Sequence, residues 1–422
     1  MTHVTGTRAL AGLFSAALLI TGAQASEPVD ADYQAFLSAL GDAPWINANA
    51  DHPSANEAYR PIPPLASFPA DTAKRDLGFA LFHDASLSRD GTVGCNTCHM
   101  GMMGGIDGLS IARGIDGELG QRNTPTIFNA AFNFRQFWDG RAFNLDAQSI
   151  EPIVNPVEMG HDLSQVLASL QADPSYQAMF AEAYPDGVTA ANLGNALSQH
   201  TKDMTRTDSP FNAYLNDERT LSEQALRGKD RFNALGCVSC HNGINLGGNS
   251  YQPVASNFNT SLQYALQGEE GLYARSGREQ DRLVFKVPQL HNVGMTAPYY
   301  HDGSVPTLQD AIRRMGAQEV GRTLSDEDVN DISAFLASLS SEFFSGSMHS
   351  MMSDHELEDA VRNQMPDRMG GGMMEGENHQ QHMQQMMQGG MHQEHMQHMQ
   401  QMMRATPDSA ADSDASTHQH AH

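Results

Sequence analysis

Two five-residue strings carry the most specific chemistry in the chain: Cys95-Asn96-Thr97-Cys98-His99 and Cys237-Val238-Ser239-Cys240-His241. In each, two thiols are spaced to reach two vinyl groups of one porphyrin, and the next residue is an imidazole placed to bind its iron. This is the C-x-x-C-H pattern of covalent c-type haem attachment. Such an imidazole binds iron through one nitrogen while the other donates to a backbone carbonyl. Four cysteines in an exported chain ordinarily suggest two disulfides. Here the spacing uses every thiol of the 4 cysteines present. The sequence therefore implies two haem c groups, one on Cys95, Cys98 and His99, the other on Cys237, Cys240 and His241.

Helical patterns surround both strings. Apolar residues recur at helical spacing over 71–83, 163–170, 175–183 and 190–205, and again over 220–235, 307–315 and 325–339. Ser325 followed by Asp326, Glu327 and Asp328 places a cap and acids at a helix start. The stretch 100–120, rich in glycine and methionine, reads as loop. Strand signals are sparse, and 282–287 is the best of them. The order helix, C-x-x-C-H, glycine-rich loop, helices thus occurs twice. The expected fold is mostly α, with two cytochrome-c-like haem domains at 70–210 and 211–345.

The ends have other compositions. Residues 1–25 read as a secretory signal: Arg8, an apolar run over 9–20, then Ala23-Gln24-Ala25 as a cleavage site. The run is too short to span a bilayer, so the expected location is the periplasm, without membrane insertion. Residues 26–69 read as an extended N-terminal arm. Residues 346–422 read as a disordered tail, with 15 Met over 348–403 and seven His between His349 and His398. The formal net charge of −25 argues against nucleic acid and suits a partner with a basic patch.

With the haem motifs placed, the flanking residues resemble the bacterial di-haem cytochrome c peroxidase family, which includes the protein-oxidising MauG enzymes. The resemblance spans roughly 62–342 and rests on several strings. They are Leu81-Phe82-His83-Asp84, Arg122-Asn123-Thr124-Pro125-Thr126 and Gln136-Phe137-Trp138-Asp139-Gly140-Arg141, then 228–241, Pro288-Gln289-Leu290-His291-Asn292-Val293 and 296–303.

The resemblance implies reduction of hydrogen peroxide with electrons from a small c-type cytochrome or cupredoxin. It makes the His99 haem peroxidatic and the His241 haem the electron-entry group, with Met315 as its sixth ligand. Thioether ligation raises the reduction potential, as an electron-storing haem requires. The plainer reading of Met315 is a core residue on the stripe Leu308, Ala311, Ile312; Met295 and Tyr300 are the alternative ligands. Glu158 matches the family's distal acid, with Gln148 beside it, where a carboxyl moves a proton between the peroxide oxygens; the plainer reading of Glu158 is a surface acid. Trp138 matches the aromatic between the haems, although most tryptophans are simply core. Asn123 and the carbonyls of Thr296 and Pro298 match an interdomain calcium site. His301 matches a family histidine near that interface. His83, His161, His200 and His291 read as satisfied structural residues. A homodimer is also implied.

One departure stands out. Where the family places a histidine that ligates the resting peroxidatic iron, this chain has Ile115, and no histidine lies between His99 and His161. The first haem is then expected to be five-coordinate or water-bound at rest. Two rival functions remain. One is a MauG-like oxidase of tryptophan or tyrosine on a partner protein. The other is a copper-handling protein, since thioether and imidazole in the tail suit Cu(I) or Cu(II); a merely solubilising tail is the plainer alternative.

Overall fold

The computed structural model describes residues 58–63, 71–254 and 268–344. The expected leader at 1–25, most of the arm at 26–69 and the tail at 346–422 lie outside the described residues.

The first half is built on a crossing of two helices. Helix α1 (Thr72–Phe82) starts at Asp71, whose carboxylate caps the Lys74 N–H, and buries Leu77, Gly78, Leu81 and Phe82. Helices α2 (Leu145–Val154), α3 (Leu163–Ala172), α4 (Pro174–Ala183) and α5 (Ala190–Asp203) follow. The crossing of α1 and α5 depends on Gly78, because a Cβ there would lie 2.0 Å from the Ala196 carbonyl oxygen. Leu77, Leu81, Ile150, Leu163, Phe180, Leu193 and Leu197 fill the core around it.

The second half repeats this plan. Helix α6 (Pro210–Leu215) precedes α7 (Glu223–Ala234), α8 (Leu308–Met315) and α9 (Asp326–Ala337). Gly228 of α7 meets α9 as Gly78 meets α5: a Cβ there would lie 1.8 Å from the Asp331 carbonyl oxygen. Phe211, Phe232, Leu290, Val329, Ile332 and Phe335 form the second core. The expected cap at Ser325 is present as a reciprocal pair with Asp328. Two short antiparallel strands, β1 (Tyr251–Pro253) and β2 (Val284–Lys286), pair with Tyr251 opposite Lys286. The latter strand falls within the expected 282–287. The fold is mostly α, as read from the pattern.

Helix α2 is not visible in that pattern, because Pro152 interrupts it. Proline removes one intrahelical bond, that to the Gln148 carbonyl, and the last turn survives the loss. Asn144 caps the start by accepting the Ala147 N–H at 2.8 Å. The loop after the first motif is irregular apart from single 3₁₀ turns at Gly101–Met103 and Ile115–Gly117.

The chain ends cross over. The described part of the arm packs on the second half: Tyr59 lies edge-on to Phe211, centroids 5.4 Å apart, and the Ile62 N–H donates to Asn212 Oδ1 at 2.7 Å. At the other end Phe344 packs on the first half, edge-on to Phe128 at 4.9 Å. Arg206 caps this contact, its guanidinium over the rings of Phe128 at 5.1 Å and Phe343 at 4.7 Å.

Candidate active site

Both C-x-x-C-H strings fold as single tight helical turns, the second directly after α7, and both hold their histidine in the same way. The His99 Nδ1–H donates to the Gly105 carbonyl at 3.0 Å, and the His241 Nδ1–H to the Leu246 carbonyl at 3.1 Å. With Nδ1 as donor, a neutral imidazole keeps its lone pair on Nε2, the nitrogen that binds iron. Burial holds both rings below their ordinary pKa, which favours that neutral form. All four cysteines are unpaired thiols. The residues present fit two covalently held haems.

Glu158 follows α2 in a turn closed by the helix cap, Asn155, whose Nδ2 donates to Glu158 Oε1 at 2.7 Å. Burial raises the Glu158 carboxyl above the usual range; Arg141 opposes that rise and Glu151 adds to it. Its charge is felt at the thiols of Cys95 and Cys98, which burial pushes up to about 12. The acid therefore lies beside the first motif, half-buried and not fully exposed as a plain surface acid would be. Gln148 is half-buried on α2, and among the described residues no hydrogen bond joins it to Glu158.

Ile115 is 1 % exposed and belongs to the first core. Its N–H donates to the Glu158 carbonyl at 2.9 Å, so the loop at position 115 is tied to the acid's own backbone.

Trp138 joins the two halves. Its indole N–H donates to the Asn123 carbonyl at 2.9 Å, and its own carbonyl accepts the Lys286 N–H at 2.8 Å. His301 lies edge-on to the indole, ring centres 6.4 Å apart, and stacks on Phe285 at 4.5 Å. Beside it Arg122 bonds Asp139 at 2.6 Å and spans both oxygens of Glu269, at 2.6 and 3.0 Å. Lys286 is buried there; burial pushes its ammonium down to about 8, against the pull of Asp139.

The oxygens expected to hold calcium lie on this seam. Asn123 donates its amide to Leu109 O at 2.7 Å, which leaves Oδ1 to face elsewhere, and its N–H bonds His301 O at 2.8 Å. Among the described residues nothing donates to the carbonyls of Thr296 or Pro298. Lone pairs left open in this way suit a hard cation.

Met315 ends α8 half-buried and is not among the side chains packed into either core. Glu319, in the π-turn Gly316–Val320 that follows, exerts its charge on His241, so this turn lies near the second motif. The alternatives are engaged elsewhere. Met295 packs against the first core, and the Tyr300 hydroxyl donates to Ala311 O at 3.3 Å under the Arg314 guanidinium.

Of the four histidines expected to be satisfied, His291 faces the carbonyls of Ile244 and Leu339, and His83 Nδ1 donates to Phe79 O at 2.9 Å. His161 is half-buried. His200 is the correction. It is 1 % exposed at the α1–α5 crossing, and neither ring nitrogen has a hydrogen-bond partner among the described residues. Phe79 and Phe82 enclose it and offer no acceptor.

Sequence reasoning passed over Lys286, Glu151 and the role of Arg141. Arg141 stands in the quoted Trp138–Arg141 string. Glu151 carried a signal as well, one helical turn after Gln148, but Pro152 hid the helix.

The geometry agrees with the comparisons. Residues 72–220 match the family described as di-haem cytochrome c peroxidase, and residues 225–340 match cytochrome c. Cytochrome c peroxidase Ccp of Escherichia coli (strain K12) is 41 % identical over 286 residues, covering 67 % of this chain and 61 % of its own length. The chain thus spans about three-fifths of that relative. Cytochrome c551 peroxidase of Pseudomonas aeruginosa is 39 % identical, covering 70 % of this chain and 88 % of its own. Methylamine utilization protein MauG of Methylophilus methylotrophus is 30 % identical, with coverages of 69 % and 90 %. A solved MauG-like protein associated with microbial copper homeostasis superposes with a TM-score of 0.58 at 25 % identity, over 69 % of this chain and 96 % of that one. With two helix crossings, each carrying one haem-attachment string, and relatives of this identity and coverage, the chain belongs to the bacterial di-haem cytochrome c peroxidase family.

Proposed function

We propose that this protein is a periplasmic peroxidase that reduces hydrogen peroxide to two waters, with electrons taken singly from a small c-type cytochrome or cupredoxin. The observation that carries the reading is Glu158, a half-buried carboxyl beside the first motif with the apolar Ile115 loop tied to its backbone. Held at the two motifs, haem would supply one-electron redox chemistry, with the group on His99 as the one that reacts with peroxide.

The chain's own residues do the rest. His99 and His241 are oriented through their Nδ1–H bonds, and Met315 is the thioether on the second site. Trp138 lies on the path between the halves, its indole and carbonyl both pinned by backbone groups. Glu158 accepts the proton of the incoming peroxide and returns it to the departing oxygen; Asn155 holds one carboxylate oxygen so that the other faces the substrate. Gln148, on the same helix, assists in placing the peroxide. Asn123 and the carbonyls of Thr296 and Pro298 would hold calcium, which would clamp the seam that carries Trp138. The leader at 1–25 sends the chain to the periplasm, where it works as a homodimer; no helix among the described residues is long and apolar enough to cross a membrane.

The test is steady-state peroxide consumption by the holoprotein with a reduced small cytochrome, alongside spectroscopy of the isolated ferric form. Sustained turnover, two covalent haems per chain and one high-spin signal are expected. Turnover only in the presence of an oxidisable protein substrate favours the MauG-like reading, which the lower identity to MauG and the presence of Met315 disfavour. A second role is copper binding by the tail, favoured by its Met and His content together with the copper-homeostasis relative. It is tested by copper titration of the chain with and without residues 346–422.

A further inference from the structure

Arg141 sits among three carboxylates. Its Nε bonds Glu151, its Nη1 lies 3.3 and 3.4 Å from the two oxygens of Asp139, and its guanidinium stacks on the Phe137 ring at 3.5 Å. Arg275 fixes its backbone by donating to the Arg141 carbonyl at 2.6 Å. Since Arg122 is committed to Asp139 and Glu269, Arg141 is the cation that Glu151 and Glu158 have between them.

The two glutamates are also joined through α2. The Asn155 N–H donates to the Glu151 carbonyl at 3.0 Å, while the Asn155 side chain holds Glu158. They differ in place: the Glu151 side chain is 23 % exposed, whereas Glu158, also half-buried, is the carboxylate whose charge reaches the thiols of the first motif. The groups facing Glu151 are Arg141, Asp139 and Arg275; those facing Glu158 are Arg141, Glu151, Asn155 and the thiols of the first motif. Burial raises both carboxyls; the charge of Glu151 adds to the cost of ionising Glu158, that of Asp139 to the cost of ionising Glu151, and Arg141 opposes both.

We propose that Glu151, Arg141 and Glu158 form one proton-binding unit, with Glu151 as its solvent-side carboxyl and Arg141 as the positioning residue that bonds Glu151 and sets its charge toward Glu158, and that this unit supplies the protons consumed in peroxide reduction. It rests on the reading of Glu158 given above. In the reaction the O–O bond breaks, and hydrogen peroxide with two electrons and two protons becomes two waters. The electrons come from the donor protein. Glu158 moves a proton from one peroxide oxygen to the other; the two protons consumed enter from solvent at Glu151.

The experiment follows the protonated-carboxyl infrared band of the full holoprotein against pH, beside the pH profile of peroxide consumption, in wild type, Glu151→Gln, Arg141→Gln and Glu158→Gln. Glu151→Gln removes a like charge and frees Arg141 for Glu158, so the Glu158 band titrates about one pH unit lower. Arg141→Gln removes the shared cation and moves the band upward by a similar amount. The acid limb of the activity profile shifts in the same two directions, and Glu151→Gln also slows turnover above that limb. A Glu158 band that ignores Glu151→Gln, or that moves the same way in both variants, overturns the proposal. Undiminished turnover in Glu158→Gln overturns the reading of Glu158 as the proton carrier, while the infrared titration still decides whether the two carboxyls are coupled.

Discussion

At position 115 an isoleucine stands where the family resemblance places a ligating histidine, and the fold uses it as core. The side chain is sealed off, and the backbone is bonded to Glu158. Replacing it supplies the missing imidazole: Ile115→His is expected to convert the high-spin ferric signal to low spin and to make activity depend on prior reduction. Unchanged electron paramagnetic resonance spectra would sink the idea that this position governs resting ligation.

His200 makes a different argument at the same scale. Burial pushes its pKa from 6.5 to about 3, with no bond to offset the loss of water. Below about pH 6.5 the unfolded chain binds a proton that the folded chain refuses. Stability from this site is therefore complete above that pH and falls as the pH drops toward 3. His200→Phe keeps a ring among Phe79 and Phe82 and removes two orphaned nitrogens, so a gain of about 1–3 kcal/mol is expected at neutral pH. Its advantage should widen by about 1.4 kcal/mol per pH unit of acidification. Denaturant melts at pH 7.5 and 5.5 measure both numbers; an advantage that narrows in acid refutes the argument.

Among the elements, the repeated helix crossing matters most. Gly78 and Gly228 each let a carbonyl of the partner helix come closer than any side chain permits, and they do so at equivalent places ahead of the two motifs. Gly228→Ala forces α7 and α9 apart and is expected to cost about 1–3 kcal/mol in overpacking. The loss should appear first at the second haem, as weakened thioether absorption, with the first haem unaffected. The crossing itself was not legible: the helices were, from apolar spacing and from Ser325 as a cap, but their point of contact was not. Helix α2 was missed for a local reason, since its penalty at Pro152 is repaid by burying Leu145, Ile150 and Ile153 against a partner far away in sequence.

Across the whole molecule, the two halves are held by exchanged ends and by a seam of polar side chains. The arm at 58–63 serves the second core, and Phe344, 1 % exposed, serves the first. Phe128 beneath Phe344 also borders Gly105, whose carbonyl orients His99, so the segment that follows α9 supports the first motif. Phe344→Ala is expected to cost about 3–5 kcal/mol and to raise hydrogen exchange in α1 and α5 ahead of α7 and α9. The reverse order would show that this contact does not hold the first half.

The amino-acid order by itself determined the haem attachment motifs, the mostly α class, the two-fold plan and the absence of a histidine between His99 and His161. Each of these is written in neighbouring residues, as fixed spacing or local periodicity. Only the tertiary structure decided that Glu158 lies half-buried beside the first motif, that it feels the same Arg141 as Glu151, that Met315 stays out of the core and that His200 is left without a partner among the described residues. Burial and charge sharing depend on which distant segments meet, and the free energy of a carboxyl or an imidazole is set by those neighbours and not by the residues beside it in the chain.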